Sequence, residues 1–242
     1  MAKGMDSLNK EREEKSKSAG FLNKFLALKV DSPISKIRFL TDAGDLEWAR
    51  FHSVPAKSTR TGKKYNKDVY CLMQDGEDCF YCDQIGEDVA KVGRKLFFYV
   101  WVYEIFHTKR DNEDWAEVEY LDKMYYLEPV NCIKILRTGP GKNGVTESRI
   151  VNWAKRFKTL CDRDYEWTRE GEMLNTVYDL VPSDDGPSEL KKDIAEAFAK
   201  AEPLENIYNV FRPTKLPGTE KVEPEKKLDV DEELKDIFKS DE

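Results

Sequence analysis

Histidine is nearly absent from this chain, with two among 242 residues, His52 and His107. Neither belongs to a His-Glu-x-x-His sequence, which excludes the helix-borne zinc hydrolase pattern. His52 is followed by Ser53 and Val54 rather than by the lead of a nucleobase deaminase, so that chemistry is excluded as well. Long apolar runs are also missing. The longest, residues 96–103, has the length of a strand and falls well short of the about 18 residues a membrane-spanning helix needs. The first residues are charged and carry no apolar core, which predicts no secretory leader. A Walker loop is lacking, because Gly139-Pro140-Gly141-Lys142-Asn143-Gly144 has neither the glycine spacing nor the Lys-Ser/Thr ending. No helix-turn-helix pattern and no repeated finger is present, which argues against base reading in the major groove. Carboxylates are plentiful but form no paired constellation, so a two-metal nuclease is the enzymatic reading left open.

Cysteine is sparse but clustered. Of five, Cys71, Cys79 and Cys82 lie close together, and His52 precedes them. Cys79-Phe80-Tyr81-Cys82 is a C-x2-C knuckle, a common way to place two thiolates on one zinc ion. Cys71 is near enough for a turn to return its sulfur, and His52 completes a Cys3His set. Four protein ligands leave no open coordination position, so the implied site is structural, with one zinc whose binding energy becomes folding energy. A redox-active dithiol is the rival reading of the same knuckle, and His107 is the rival fourth ligand. Cys132 and Cys161 have apolar surroundings and read as small core residues.

The net charge of -7 speaks against a polyanionic partner until its distribution is considered. Residues 1–30 carry seven basic and four acidic groups, whereas residues 220–242 carry ten acidic and five basic. Between them, Lys57, Arg60, Lys63, Lys64 and Lys67 form a run with no acid inside it. Aromatics follow closely: Tyr65 and Tyr70, then Tyr99, Trp101 and Tyr103 on one face of a long strand that begins after Arg94 and Lys95. Cations for phosphates and rings for unpaired bases are what sequence-independent binding of single-stranded nucleic acid requires. The alternation does not decide which face of that strand meets solvent.

Apolar content of 40%, with 12 Phe and 11 Tyr, supports a real core that leans toward sheet. The reading is mainly β with helical additions. Strands are expected over residues 36–40, 48–54, 68–73, 96–106, 115–121, 126–136 (interrupted by Pro129), 165–169 and 176–181, and residues 59–67 read as a loop. Helices are expected over residues 21–30, 85–92, 148–160 and 189–201, the last capped by Ser188. The domain plan is an N-terminal arm (1–30), a core (31–212) with a zinc subdomain at about 52–92, a linker rich in proline (213–227) and an acidic tail (228–242). Leu234, Ile237 and Phe238 form a sparse apolar stripe on that tail, as in a docking peptide.

With these residues in hand, the chain resembles the single-stranded DNA-binding protein family of T4-type tailed bacteriophages. Support comes from Ile37-Arg38-Phe39-Leu40, the segment from Trp48 to His52, Val69-Tyr70-Cys71-Leu72 and the Cys79 to Cys82 knuckle. The resemblance implies an OB-fold core carrying the zinc site, with His52, Cys71, Cys79 and Cys82 in the ligand positions. It implies a non-enzymatic protein that coats single-stranded DNA in phage replication, recombination and repair, in the cytoplasm of an infected bacterial host. It further implies self-association along DNA through Lys15-Ser16-Lys17-Ser18, and recruitment of replication and recombination proteins by the acidic tail. A zinc-stabilised protein-interaction module with no DNA role is the main alternative.

Overall fold

Strands form where β-branched and aromatic residues alternate, and helices where the apolar spacing changes to three and four. The computed structural model describes residues 24–45, 47–57, 62, 64–86, 90–139, 145–171 and 175–213. The chain divides into two units, Met1–Arg212 and Pro213–Glu242, and apart from Pro213 every described residue lies in the first. That unit is a mixed α/β domain. Its described strands are β1 (Ile34–Phe39), β2 (Glu47–Lys57), β3 (Lys64–Tyr70), β4 (Lys91–His107), β5 (Ala116–Tyr120), β6 (Lys123–Thr138), β7 (Asp164–Glu170) and β8 (Val177–Pro182). The described α-helices are α1 (Val145–Phe157), α2 (Lys192–Phe198) and α3 (Leu204–Val210).

All strand pairs are antiparallel. The long strand β4 organises the sheet. Its residues 91–97 pair with β2, residues 100–106 with β1, and residues 96–107 with β6. Outward from β4 run β2 then β3, and β1 then β7 then β8, while β5 pairs with β6. Among the described residues no strand pairing closes this sheet into a barrel.

β4 is central because both its faces are buried, as its unbroken apolar sequence requires. On one face Leu96, Phe98, Val100 and Val102 join Phe39, Leu136, Tyr165, Leu180 and Ile150 of α1. On the other, Phe97 and Tyr99 join Phe51, Tyr70 and Ile135, with Ile194 of α2 and Leu204, Ile207 and Tyr208 of α3 laid over them. The face whose exposure alternation leaves undecided is thus covered by a helix pair. α3 lies outside the helices expected from sequence.

Several expectations are corrected. Residues 24–28 are not helical: Phe25 bridges to Ile135, the Leu26 amide donates to the Ile135 carbonyl, and Leu26 and Leu28 are buried. Of the helix expected over residues 85–92, Ile85 closes a π-turn (Tyr81–Ile85) and Lys91 and Val92 begin β4, while residues 87–89 lie outside the described residues. Pro129 does not break β6. It sits opposite Glu104 where the register slips, and Asn131 nearby takes a left-handed conformation (φ 45°) that asparagine tolerates. Ser188 is no helix cap, since α2 begins after Lys191. Its hydroxyl accepts from the Arg38 guanidinium at 2.7 Å, and Arg38 Nε donates to the Cys161 carbonyl at 3.0 Å. Arg38 is 3% exposed, so a helix-cap residue type is used to satisfy a buried charge.

Candidate metal centre and basic ribbon

His52 lies on β2 opposite Val69 of β3, so the hairpin register places its ring beside Cys71, the residue that follows β3. The Cys71 amide donates to the Arg50 carbonyl at 2.9 Å. Gln74 holds the same residue from its side chain: its Oε1 accepts from the Arg50 amide at 2.8 Å and its Nε2 donates to the Arg50 carbonyl at 3.2 Å. A 3-10 turn, Leu72–Asp75, closes at Gly76 in the left-handed region (φ 78°), where a side chain would be strained, and returns the chain toward Cys79. The amides of Cys82 and Asp83 both donate to the Cys79 carbonyl, at 2.9 and 3.0 Å, and this turn aims both knuckle sulfurs inward.

The four side chains meet. Cys71 Sγ and Cys82 Sγ are 3.7 Å apart, and His52 Nε2 is 3.3 Å from Cys79 Sγ and 3.4 Å from Cys82 Sγ. All four ligand atoms lie within 4.8 Å of one another. Bonds of the usual length to a tetrahedral ion put sulfurs about 3.8 Å apart and nitrogen about 3.6 Å from sulfur. The observed edges are close to both. His52 Nδ1 lies 3.0 Å from the Ala90 carbonyl oxygen. A carbonyl can only accept, so Nδ1 carries the proton and Nε2 directs its lone pair at the sulfurs. The ring is fully buried and rests on Tyr81, centroids 5.4 Å apart.

Electrostatics point the same way. Burial raises the Cys79 thiol, but amide donors of Cys82, Leu72 and Tyr81 and the His52 ring outweigh it and bring it down to about 7. Burial, reinforced by the adjacent Cys71 and Cys79 sulfurs, pushes Cys82 up to about 12. Cys71 is also raised, chiefly by burial. Three touching thiols oppose one another's ionisation unless a cation sits among them. The four residues together can hold a metal ion. His107, the rival ligand, is committed elsewhere: its Nε2 pairs with Glu128 at 2.8 Å and its ring stacks on Trp115 at 4.1 Å. Cys132 and Cys161 are half-buried, and burial pushes the Cys161 thiol up to about 12.

Beyond Ser53, β2 leaves β4 and continues with β3 as a two-stranded ribbon, pairing Val54 with Lys67, Ala56 with Tyr65 and Lys57 with Lys64. Of the loop expected over residues 59–67, residues 64–67 belong to strand β3 instead. Lys57, Lys64, Tyr65 and Lys67 are all exposed there. Opposite residues share a face, so Lys57 and Lys64 stand on one side with Phe51 and Tyr70. Tyr65 and Lys67 stand on the other side, with His52. Arg94, exposed and paired with Glu147, lies opposite Arg50 on the His52 side. Lys95 is on the Phe51 side. The expected cations therefore divide between two faces.

The expected stacking rings need correction. Tyr65 is 51% exposed, but Tyr70 and Tyr99 are core residues at 7% and 9%. Tyr70 stacks on Tyr208 and donates to Asp75 at 3.0 Å, and Tyr99 packs edge-on against Phe198. Trp101 and Tyr103 are half-buried against the same core, and the Tyr103 hydroxyl donates to Asp164 at 3.1 Å. The aromatic face of β4 is roofed by α2 and α3, so Tyr70 and Tyr99 offer no open ring. Arg60, Lys63, Lys15, Ser16, Lys17, Ser18, Leu234, Ile237 and Phe238 lie outside the described residues.

Arg137, near the end of β6, was not among the expected residues. Its guanidinium lies 5.7 Å from the Phe25 ring centroid and 5.6 Å from that of Phe211, and it pairs with Asp68 at 2.9 Å. No local pattern distinguishes it from any other polar residue of an alternating strand. Comparison of the chain with protein-family models and with curated proteins finds no match.

Proposed function

We propose that this protein is a non-enzymatic, sequence-independent binder of single-stranded DNA whose basic ribbon is held in shape by a structural zinc ion. One observation carries the reading: a cationic two-stranded ribbon bearing an exposed tyrosine projects directly from a closed His-Cys centre. His52 and the three cysteines supply four soft or borderline ligands, the donor set zinc favours, and leave no position for a substrate. Zinc there joins the end of β3 and the knuckle to β2, so its binding energy stabilises the base of the ribbon. Lys57, Lys64 and Lys67 supply phosphate contacts and Tyr65 a stacking surface.

An OB-type core is the finer reading of the sheet. A long β4 shared by β1 and β2, with an antiparallel neighbour in β6, supports it. The T4-type phage resemblance extends the proposal to coating of DNA during replication, recombination and repair, with the basic arm joining neighbouring copies and the acidic tail recruiting proteins. Titration of a labelled oligo-dT across a salt series tests the reading. Tight binding that weakens with salt and ignores magnesium is the expected result. No binding at low salt refutes it in favour of a protein-interaction module, and shortening of the oligonucleotide in magnesium would reveal a nuclease.

A further inference from the structure

We propose that Arg137 and Lys95 form a binding fork for a phosphate of single-stranded nucleic acid, held ready and partly masked by Asp68. This rests on the single-stranded DNA reading and adds Arg137 and its Asp68 partner to Lys95, which that reading already counted among its cations. Asp68 of β3 reaches across the sheet to cations on two strands that β3 does not pair with. Its Oδ2 is 2.9 Å from Arg137 of β6, and its Oδ1 is 3.8 Å from Lys95 Nζ of β4. The carboxylate is 15% exposed, whereas the cations are 34% and 31% exposed. The anion is thus inside and its partners face outward. Two cations on one carboxylate leave a net positive charge at the surface.

The fork is also stiff. The Phe25 and Phe211 rings near the guanidinium restrict its swing, and the Asp68 contact engages only one end of a five-donor group. Gly139 is the bed for Lys95: a Cβ there would come within 3.0 Å of the lysine Cδ and 3.1 Å of the Arg94 carbonyl oxygen. With its cations already oriented, the fork loses little freedom when an anion arrives. Asp68 and Lys64 lie on one face of β3 four residues apart, or about 13 Å at strand rise. Lys57 stands opposite Lys64. One face therefore carries two cationic stations in line, which suits a repeating phosphodiester better than a single free anion.

The test is oligo-dT titration over a salt series with the full chain, comparing wild type with Arg137→Gln, Lys95→Gln and Asp68→Asn, each checked for folding by thermal melting. Each cation variant should flatten the log-log salt slope by about 0.7 and weaken binding several-fold. Asp68→Asn should steepen the slope and tighten binding about 3- to 10-fold at low salt, because it unmasks both charges. Unchanged slopes in both cation variants overturn the fork, and weaker binding by Asp68→Asn overturns the masking. Lys95→Gln decides the matter should Arg137→Gln fail to fold. Inorganic phosphate at constant ionic strength should not compete; competition would show a free-anion site instead. Wild type that does not bind oligo-dT refutes the proposed function itself, and the fork with it.

Discussion

Replacing His52 by alanine is the sharpest perturbation of the metal centre. The ring is wholly buried, its Nε2 approaches two sulfurs at 3.3 and 3.4 Å, and its Nδ1 serves the Ala90 carbonyl. Truncation leaves a cavity costing about 2–5 kcal/mol. It also leaves a buried acceptor without its donor, about 1–3 kcal/mol more. The sum, about 3–8 kcal/mol, is a large share of a domain stability of about 5–15 kcal/mol, before any loss of metal energy. Zinc-finger peptides draw about 10–16 kcal/mol from their ion, so losing the ion as well should melt this region. The damage should be local. The Leu96, Phe98 and Leu136 layer lies on the sheet beside α1, and neither it nor α1 includes a ligand residue. Purified His52→Ala should hold well under one zinc per chain, and its Cys82 and Asp83 amides should exchange at least about 100-fold faster, since local opening sets their protection. His107→Ala, with its Glu128 and Trp115 contacts removed, should keep its zinc. A His52→Ala protein with one full equivalent of zinc, or a His107→Ala protein without it, would refute the assignment.

Tyr65→Ala should weaken oligo-dT binding by about 1–3 kcal/mol with melting temperature unchanged, whereas Tyr99→Ala should cost about 3–5 kcal/mol of stability. Titration and thermal melting on both variants check this, and equal binding losses at equal stability would contradict the burial argument. Arg38→Ala should cost about 3–5 kcal/mol in denaturant unfolding, because it removes a buried cation and leaves the Asp164 carboxylate and the Cys161 carbonyl without it. Burial raises Tyr99 to about 12, and burial with the Asp164 charge raises Tyr103 to about 12. Folded pKa values above the unfolded value of about 10 mean that their stabilisation is full below pH about 10 and is lost as pH rises toward 12. Tyrosinate absorbance should therefore appear late and together with unfolding; early, non-cooperative ionisation of these rings would show them to be accessible.

Local chemistry was legible where neighbours in sequence are neighbours in space. Cys71, Cys79 and Cys82 are close along the chain, so a turn sufficed to join them, and the strand alternation of β1, β7 and β8 and the unbroken apolar run of β4 are visible in their side chains. The choice between His52 and His107 was not legible, because hairpin register decided it: pairing with Val69 carries His52 to Cys71, while β4 carries His107 to Glu128. Tyr70 and Tyr99 looked like platforms because nothing in their strands announces the helices that cover them. α3 itself is short, and its apolar side is meaningful only against Phe97 and Tyr208's other neighbours in that core.

The sequence by itself determined that this protein carries a compact set of soft ligands beside a basic run, and that its core is built from aromatic strands. Covalent proximity and side-chain chemistry are enough for those conclusions. Tertiary structure alone decided which histidine completes the set, which rings are buried, and that Asp68, Lys95 and Arg137 meet. Those contacts join strands remote in sequence, and they depend on register and on which sheet face a helix covers, where a shift of one residue exchanges inside for outside.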